Sequence, residues 1–192
     1  MRKLMLTLPL LLLGCSVSPN FPSQADLYDE PRDYNRFAFL SYGHEVIGGR
    51  VDRGGVLGLD VNIGRYVDPD DHAIRGQIYG LFVDANIKGD HLEGFVGGLP
   101  LEMTVSRGES GLSGRGLVYG RKVELVLSET EARGKLGRCA IDLVRRGEVY
   151  VGRRSCGGIR GGDDVELQVG RGFRAWGDTE RVAALSLMMF RN

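Results

Sequence analysis

Three cysteines, three histidines and one knot of aspartates are the residues in this 192-residue chain whose chemistry could define a site. The histidines, His44, His72 and His91, are scattered, without the i, i+4 spacing or the H-E-x-x-H pattern that a helix-borne metal site needs. The stretch YVDPDDHAI, residues 66–74, gathers Asp68, Asp70, Asp71 and His72 around Pro69. Alternating carboxylates can ligate Ca²⁺, but the spacing, central glycine and distal glutamate of an EF-hand loop are missing. Pro-Asp-Asp reads first as a turn, so these four residues are weak metal candidates and no cofactor is expected. G-x-S-x-G does not occur, and GLSGRG (111–116) leads into a strand rather than the strand-to-helix elbow a serine nucleophile requires. GRGLVYG (114–120) has no βαβ unit around it and is not a dinucleotide fingerprint. No catalytic residue is assigned, and the expectation is a protein that is not an enzyme; a hydrolase or metal site around His72 ranks third among the functional readings.

Cys139 and Cys156 carry a geometric inference. Between them lies Arg146-Gly147-Glu148-Val149, and glycine at the first central position suits a two-residue type II′ hairpin. That register pairs residues whose numbers add to 295, so 146 faces 149 and Cys139 faces Cys156. Counting outward from the turn puts the cysteines in the closer, non-hydrogen-bonded class, with Cα atoms ~4.5 Å apart. A disulfide is expected there, structural in role, because no C-x-x-C motif accompanies it.

Arginines crowd the same region, in LVRRGEVYVGRRSC (143–156) and GRGFRAW (170–176). If Arg145 and Arg154 share a sheet face and Arg171 and Arg174 approach it, an anion or headgroup patch results, with Tyr150 and Trp176 to stack. The competing reading is a set of arginines lying over a solvated face. Lysine and arginine together number 25, as do aspartate and glutamate. That balance argues against nucleic acid, which needs a clustered basic face.

The third cysteine belongs to the N-terminus. Arg2 and Lys3 precede an apolar run from Leu4 to Leu13, broken only by Thr7 and Pro9. The run is too short to span a bilayer, which takes roughly 20 apolar residues, and it fits a secretory signal peptide. Leu12-Leu13-Gly14-Cys15 resembles the lipobox of bacterial lipoproteins. The resemblance covers only these first residues. It implies removal of residues 1–14, a diacylglycerol on Cys15, and anchoring by two or more acyl chains, which hold a membrane firmly where one does not. Ser16 after Cys15 implies, by the enterobacterial pattern, the outer membrane, with the domain in the periplasm or on the cell surface. Loss of Arg2 and Lys3 would leave 23 basic against 25 acidic side chains. Residues 15–36, with three prolines and no apolar period, read as a lipidated flexible tether.

Residues 37–192 must then form the domain. Its signal is alternation between turns: PLEMTV (100–105), KVELVL (122–127), CAIDLV (139–144) and DVELQV (164–169). GQIYG (76–80) returns as GLVYG (116–120), an offset of 40 that marks a repeated hairpin unit. Gly80, Gly97, Gly98, Gly120 and Gly137 fall where long strands would have their middles, and are read as bends of a coiled sheet. The fold class is therefore all-β, an antiparallel meander closing into a barrel or barrel-like sandwich of about 8–10 strands. The terminal stretch DTERVAALSLMMFRN (178–192) fits either a helix capped at Asp178 or Thr179 or a closing strand ALSLMMF; the strand is preferred, because the first edge needs a partner. On this reading the protein is a membrane-anchored binding or scaffold subunit with a protein partner in the envelope. A carrier of a small apolar ligand inside the barrel is the alternative.

Overall fold

The computed structural model describes residues 35–68, 71–157 and 162–190. The expected signal peptide, Cys15, the tether as far as residue 34, Asp70 and the Asp71 side chain lie outside the described residues. Arg36 already belongs to the first strand.

Fourteen strands run in chain order: β1 (Arg36–Ser41), β2 (His44–Val51), β3 (Gly55–Leu57), β4 (Val61–Asp68), β5 (Asp71–Ile78), β6 (Leu81–Lys88), β7 (His91–Val96), β8 (Leu99–Gly108), β9 (Gly111–Val118), β10 (Arg121–Leu127), β11 (Glu131–Leu136), β12 (Cys139–Arg146), β13 (Val149–Cys156) and β14 (Asp163–Gln168). Each pairs antiparallel with its neighbours, and β1 closes on β14 through Ala38↔Gln168, Phe39↔Leu167 and Leu40↔Glu166. The expected all-β closed meander is the architecture found, but the strand count is 14 and not 8–10. The glycines explain the difference. Tyr79-Gly80, Gly97-Gly98 and Tyr119-Gly120 have positive φ at both residues, between 52° and 77°, which is the type I′ hairpin turn. Gly137 likewise begins a two-residue turn, at φ 55°. Residues read as bends inside long strands are therefore the ends of short ones.

Alternation along the strands sorts the two faces of the wall. In β6, Val83, Ala85 and Ile87 are buried while Phe82, Asp84, Asn86 and Lys88 are exposed. Outward charges pair across strands, Arg75 with Asp84 and Arg133 with Asp142. A charged outer wall around an apolar interior is the reverse of a transmembrane barrel.

The interior is occupied by the C-terminal segment. Residues 178–190 do not close the sheet: Asp178–Met189 is a helix, α1, and β14 supplies the partner that β1 needs. From Val182 to Phe190 every residue is at most 2% exposed. A helix apolar on all sides belongs inside a core, and here the core is the barrel lumen. Such a helix has no polar stripe, so its sequence competes poorly with the period-2 reading of ALSLMMF. Gly114 of β9 leaves the space that Val182 fills, since a Cβ there would lie 2.4 Å from Val182 Cγ1.

The barrel has two ends. The proximal end holds the start of β1, the β8–β9, β10–β11 and β12–β13 turns, and the first turn of α1. The distal end holds the Tyr-Gly turns and the last turn of α1, whose Leu187 and Met188 carbonyls accept hydrogen bonds from the Tyr119 and Tyr79 hydroxyls.

Candidate functional site

At the proximal end the chain leaves β14 and folds across the barrel mouth as a short 3₁₀ helix, Arg171–Ala175, before entering the lumen. Close approach of the backbone to the rim is what permits this: a Cβ on Gly172 would lie 2.2 Å from the Val51 carbonyl oxygen. Phe173 and Trp176 turn inward and pack edge to face, ring centroids 5.0 Å apart, closing the mouth beneath the 3₁₀ helix. Its polar side chains, Arg171 and Arg174, are left on the outer side.

Between this segment and the rim lies a cleft of about 540 Å³. Five arginines line it, Arg107 from β8, Arg145 from β12, Arg171 and Arg174 from the 3₁₀ helix, and Arg181 from α1, against two glutamates, Glu129 and Glu148. Leu112, Leu127 and Phe173 form its apolar floor. The arginines differ in how far they are compensated. Arg107 forks onto Asp178, with Nε and Nη2 at 2.9 and 2.6 Å from the two carboxylate oxygens. Arg181 reaches the same carboxylate at 3.5 Å, while its buried Nε has no hydrogen-bond partner among the described residues. Burial pulls Arg181 below the usual arginine pKa; Asp178 opposes this and the like charge of Arg107 adds to it. Arg171 faces Glu148 at 3.7 Å, a solvated rim contact. Arg145 is held by carbonyls only, Gly147 at 2.8 Å and Glu129 at 3.4 Å, and lies over the Tyr150 ring at 6.0 Å. Arg174 makes no ion pair among the described residues.

Of the six residues expected to form a binding patch, Arg145, Tyr150, Arg171 and Arg174 line this cleft and two do not. Arg154 does share the inner sheet face with Arg145, but it pairs with Ile141, four residues along β12, and so sits ~13 Å nearer the distal end. There it donates to Asp163 at 2.8 Å and lies over the Phe39 ring. That hydrogen bond first, and one from Tyr42 second, hold the Asp163 carboxyl below the ordinary carboxylate range. Trp176 is buried, its Nε1 donating to the Asp52 carbonyl at 2.7 Å, and it plugs the mouth rather than offering a stacking face. Tyr150 is a wall: its hydroxyl donates to the Ser128 carbonyl at 2.7 Å, and burial raises its pKa although Arg145 opposes. Arg107 and Arg181 went unnoticed in the sequence because they stand alone, one before a Gly-containing turn and the other inside an apolar stretch.

His72 belongs to a different group on the same end. With Arg65 it points at Glu180, in the first turn of α1; His72 Nε2 and Arg65 Nε each lie 2.7 Å from Oε1. The Gly177 N–H donates to the other oxygen. Burial alone would raise the Glu180 pKa, but these three donors and the Arg65 charge outweigh it and hold the carboxyl below its usual range. Thr179 donates to the Gly89 carbonyl on the next hairpin. The cluster is a clamp that fixes the helix to the wall as it enters the lumen. Asp68 is exposed, and no group of three His, Cys, Asp or Glu side chains converges to hold a metal among the described residues.

The cysteine register is as derived. Cys139 faces Cys156 and Arg146 faces Val149; Gly147 has φ 64° and Glu148 lies outside the left-handed region, as a II′ turn requires. The Cα atoms are 4.0 Å apart and the sulfurs are bonded.

No family model matches this chain, and neither a curated protein nor a solved structure is similar to it.

Proposed function

We propose that this chain is a membrane-anchored envelope lipoprotein that acts as a non-catalytic binding or accessory subunit, its barrel held in the periplasm or at the cell surface. The anchor rests on Leu12-Leu13-Gly14-Cys15, and the Cys139–Cys156 disulfide suits an oxidising compartment. The observation that carries binding at the surface, rather than carriage within, is the helix in the lumen. Leu185, Leu187, Met188 and Phe190 occupy the space that a small apolar cargo would need. The reading of His72 as a reactive group has less support: the Glu180 carboxylate it meets is sealed from solvent and taken up by Arg65, His72 and the Gly177 N–H. Exposed apolar side chains do lie on the outside, Phe82 (71% exposed) and Phe95 (60%) on adjacent strands near the distal end. Apolar surface of this kind marks interaction sites.

Native mass spectrometry of the protein extracted gently from its own membranes tests this. The expected result is a complex with a second protein and no cargo within the barrel. A stoichiometric apolar small molecule that survives extraction would overturn it in favour of the carrier.

A further inference from the structure

We infer that the proximal cleft is a binding site for a phosphate ester, its phosphate seated among Arg145, Arg171 and Arg174 and its organic body over Leu112, Leu127 and Phe173. The site stands on the cleft's own geometry, and only the choice between a lipid and a soluble ester rests on the anchoring proposed above.

Charge is the first reason. Five arginines from four separate parts of the chain converge on one recess against two glutamates, although the chain as a whole is balanced. Arg107 and Arg181 share one carboxylate, Asp178; Arg171 faces the rim carboxylate of Glu148, Arg145 meets backbone carbonyls, and Arg174 makes no ion pair among the described residues. Like charges gathered at this density repel unless an anion joins them. Guanidinium groups present donors in a planar fork that matches phosphate and carboxylate alike. A carboxylate offers one two-oxygen edge, whereas a phosphate monoester offers three oxygens and close to two charges, enough to meet arginines arriving from β12 and from the 3₁₀ helix together.

Size is the second. About 540 Å³ lies within the range of small-molecule sites, roughly 300–1,000 Å³, whereas a single water takes about 30 Å³. A bare ion would leave most of the cleft to water, and the apolar floor would then face it. A nucleic-acid strand needs a continuous basic track, which a single recess does not provide.

Position is the third. The cleft opens at the end where Asn35 and Arg36 lead into β1. With the anchor proposed above, a phosphorylated lipid headgroup joins a soluble ester as a source to be tested.

The test is isothermal titration of the full chain, disulfide intact and in detergent, with glycerol 3-phosphate and with inorganic phosphate. Arg174→Ala is the chief variant, since that side chain makes no hydrogen bond or ion pair among the described residues, and Arg133→Ala on the outer wall is the control. Saturable binding of glycerol 3-phosphate is expected, weakened at least tenfold by Arg174→Ala, unchanged by Arg133→Ala, and tighter than that of inorganic phosphate. Absence of saturable binding, equal weakening by the two variants, or a preference for inorganic phosphate would overturn the inference. Nanodiscs of phosphatidic acid in phosphatidylcholine then identify the source. Competition with glycerol 3-phosphate shows a headgroup site, and saturable binding without competition shows a soluble ester; either sustains the site. Lipidation is read separately, from the mass at Cys15, so a failure of one does not disguise a failure of the other.

Discussion

Tyr79 and Tyr119 stand forty residues apart and donate their hydroxyls to successive carbonyls, Met188 and Leu187, at the end of one helix. Each occupies the first position of a Tyr-Gly turn, at φ 52° and 53°, a conformation that costs an L-residue ~1–2 kcal/mol. The last carbonyls of a helix have no partner within it, and in a lumen no bulk water replaces one. The internal repeat is thereby given a purpose: two copies of one hairpin end cap the helix that the barrel surrounds. Tyr119→Phe is expected to leave the Leu187 carbonyl unsatisfied and to lower stability by about 1–3 kcal/mol. Urea unfolding followed by tyrosine and tryptophan fluorescence measures it, and a loss below roughly 0.3 kcal/mol, within the error of such curves, would remove the capping role.

Gly114 and Val182 define how tightly helix and wall fit. Gly114→Ala places a methyl where Val182 Cγ1 now lies, and overpacking of this kind costs about 1–3 kcal/mol. Val182→Ala in the same chain removes the clash. A double-mutant cycle is expected to show favourable coupling, the pair being less destabilised than the sum of the single changes. Simple additivity would mean that helix and strand move apart at no cost.

Glu180 makes the fold sensitive to acid. Its carboxyl titrates below its usual range in the folded chain, so the folded state favours the charged form. The stability this supplies is complete above the unfolded pKa, near 4.3, and is lost as pH falls from there through the folded pKa. Glu180→Gln is expected to cost roughly 2–3 kcal/mol at neutral pH, because Arg65 loses a charged partner in a buried site. It is also expected to flatten the acid limb of the Tm-versus-pH curve below about pH 4.3. An unchanged acid limb would show that other carboxylates govern it.

The Cys139–Cys156 bond joins neighbouring strands across an 18-residue loop, its ends 17 apart in the chain. Loops of this length contribute ~3 kcal/mol in the chain-entropy view. Cys139→Ser with Cys156→Ser is expected to lower stability by about that amount while leaving the far-ultraviolet circular dichroism unchanged. Thiol labelling of the unreduced, denatured chain is expected to find neither cysteine reactive.

How much of this the residues announced depends on whether the determinant was local. Arg146-Gly147-Glu148-Val149 is a local signal, and it fixed the register that brings Cys139 to Cys156. Tyr-Gly and Gly-Gly turns are local too, but glycine has two uses in β proteins, and taking Gly80 and Gly120 for bends merges short strands into fewer long ones. The helix was harder to see. Val182 to Phe190 lacks a polar face because its surroundings are apolar on every side, and nothing nearby in sequence says that a barrel will enclose it. The cleft was legible only in part. Arg145, Arg171 and Arg174 stood out as clustered arginines, whereas Arg107 and Arg181 join them through closure of the barrel and entry of the helix, both set by distant contacts.

Membrane attachment is tested most directly by the intact mass of the protein extracted from its own membranes in detergent. A chain beginning at Cys15 is expected, carrying the added mass of a diacylglycerol on sulfur and an acyl group on nitrogen, and Cys15→Ala is expected to abolish both the added mass and the sedimentation with membranes. A chain with unmodified Cys15, or a Cys15→Ala variant that still sediments with membranes, would contradict it.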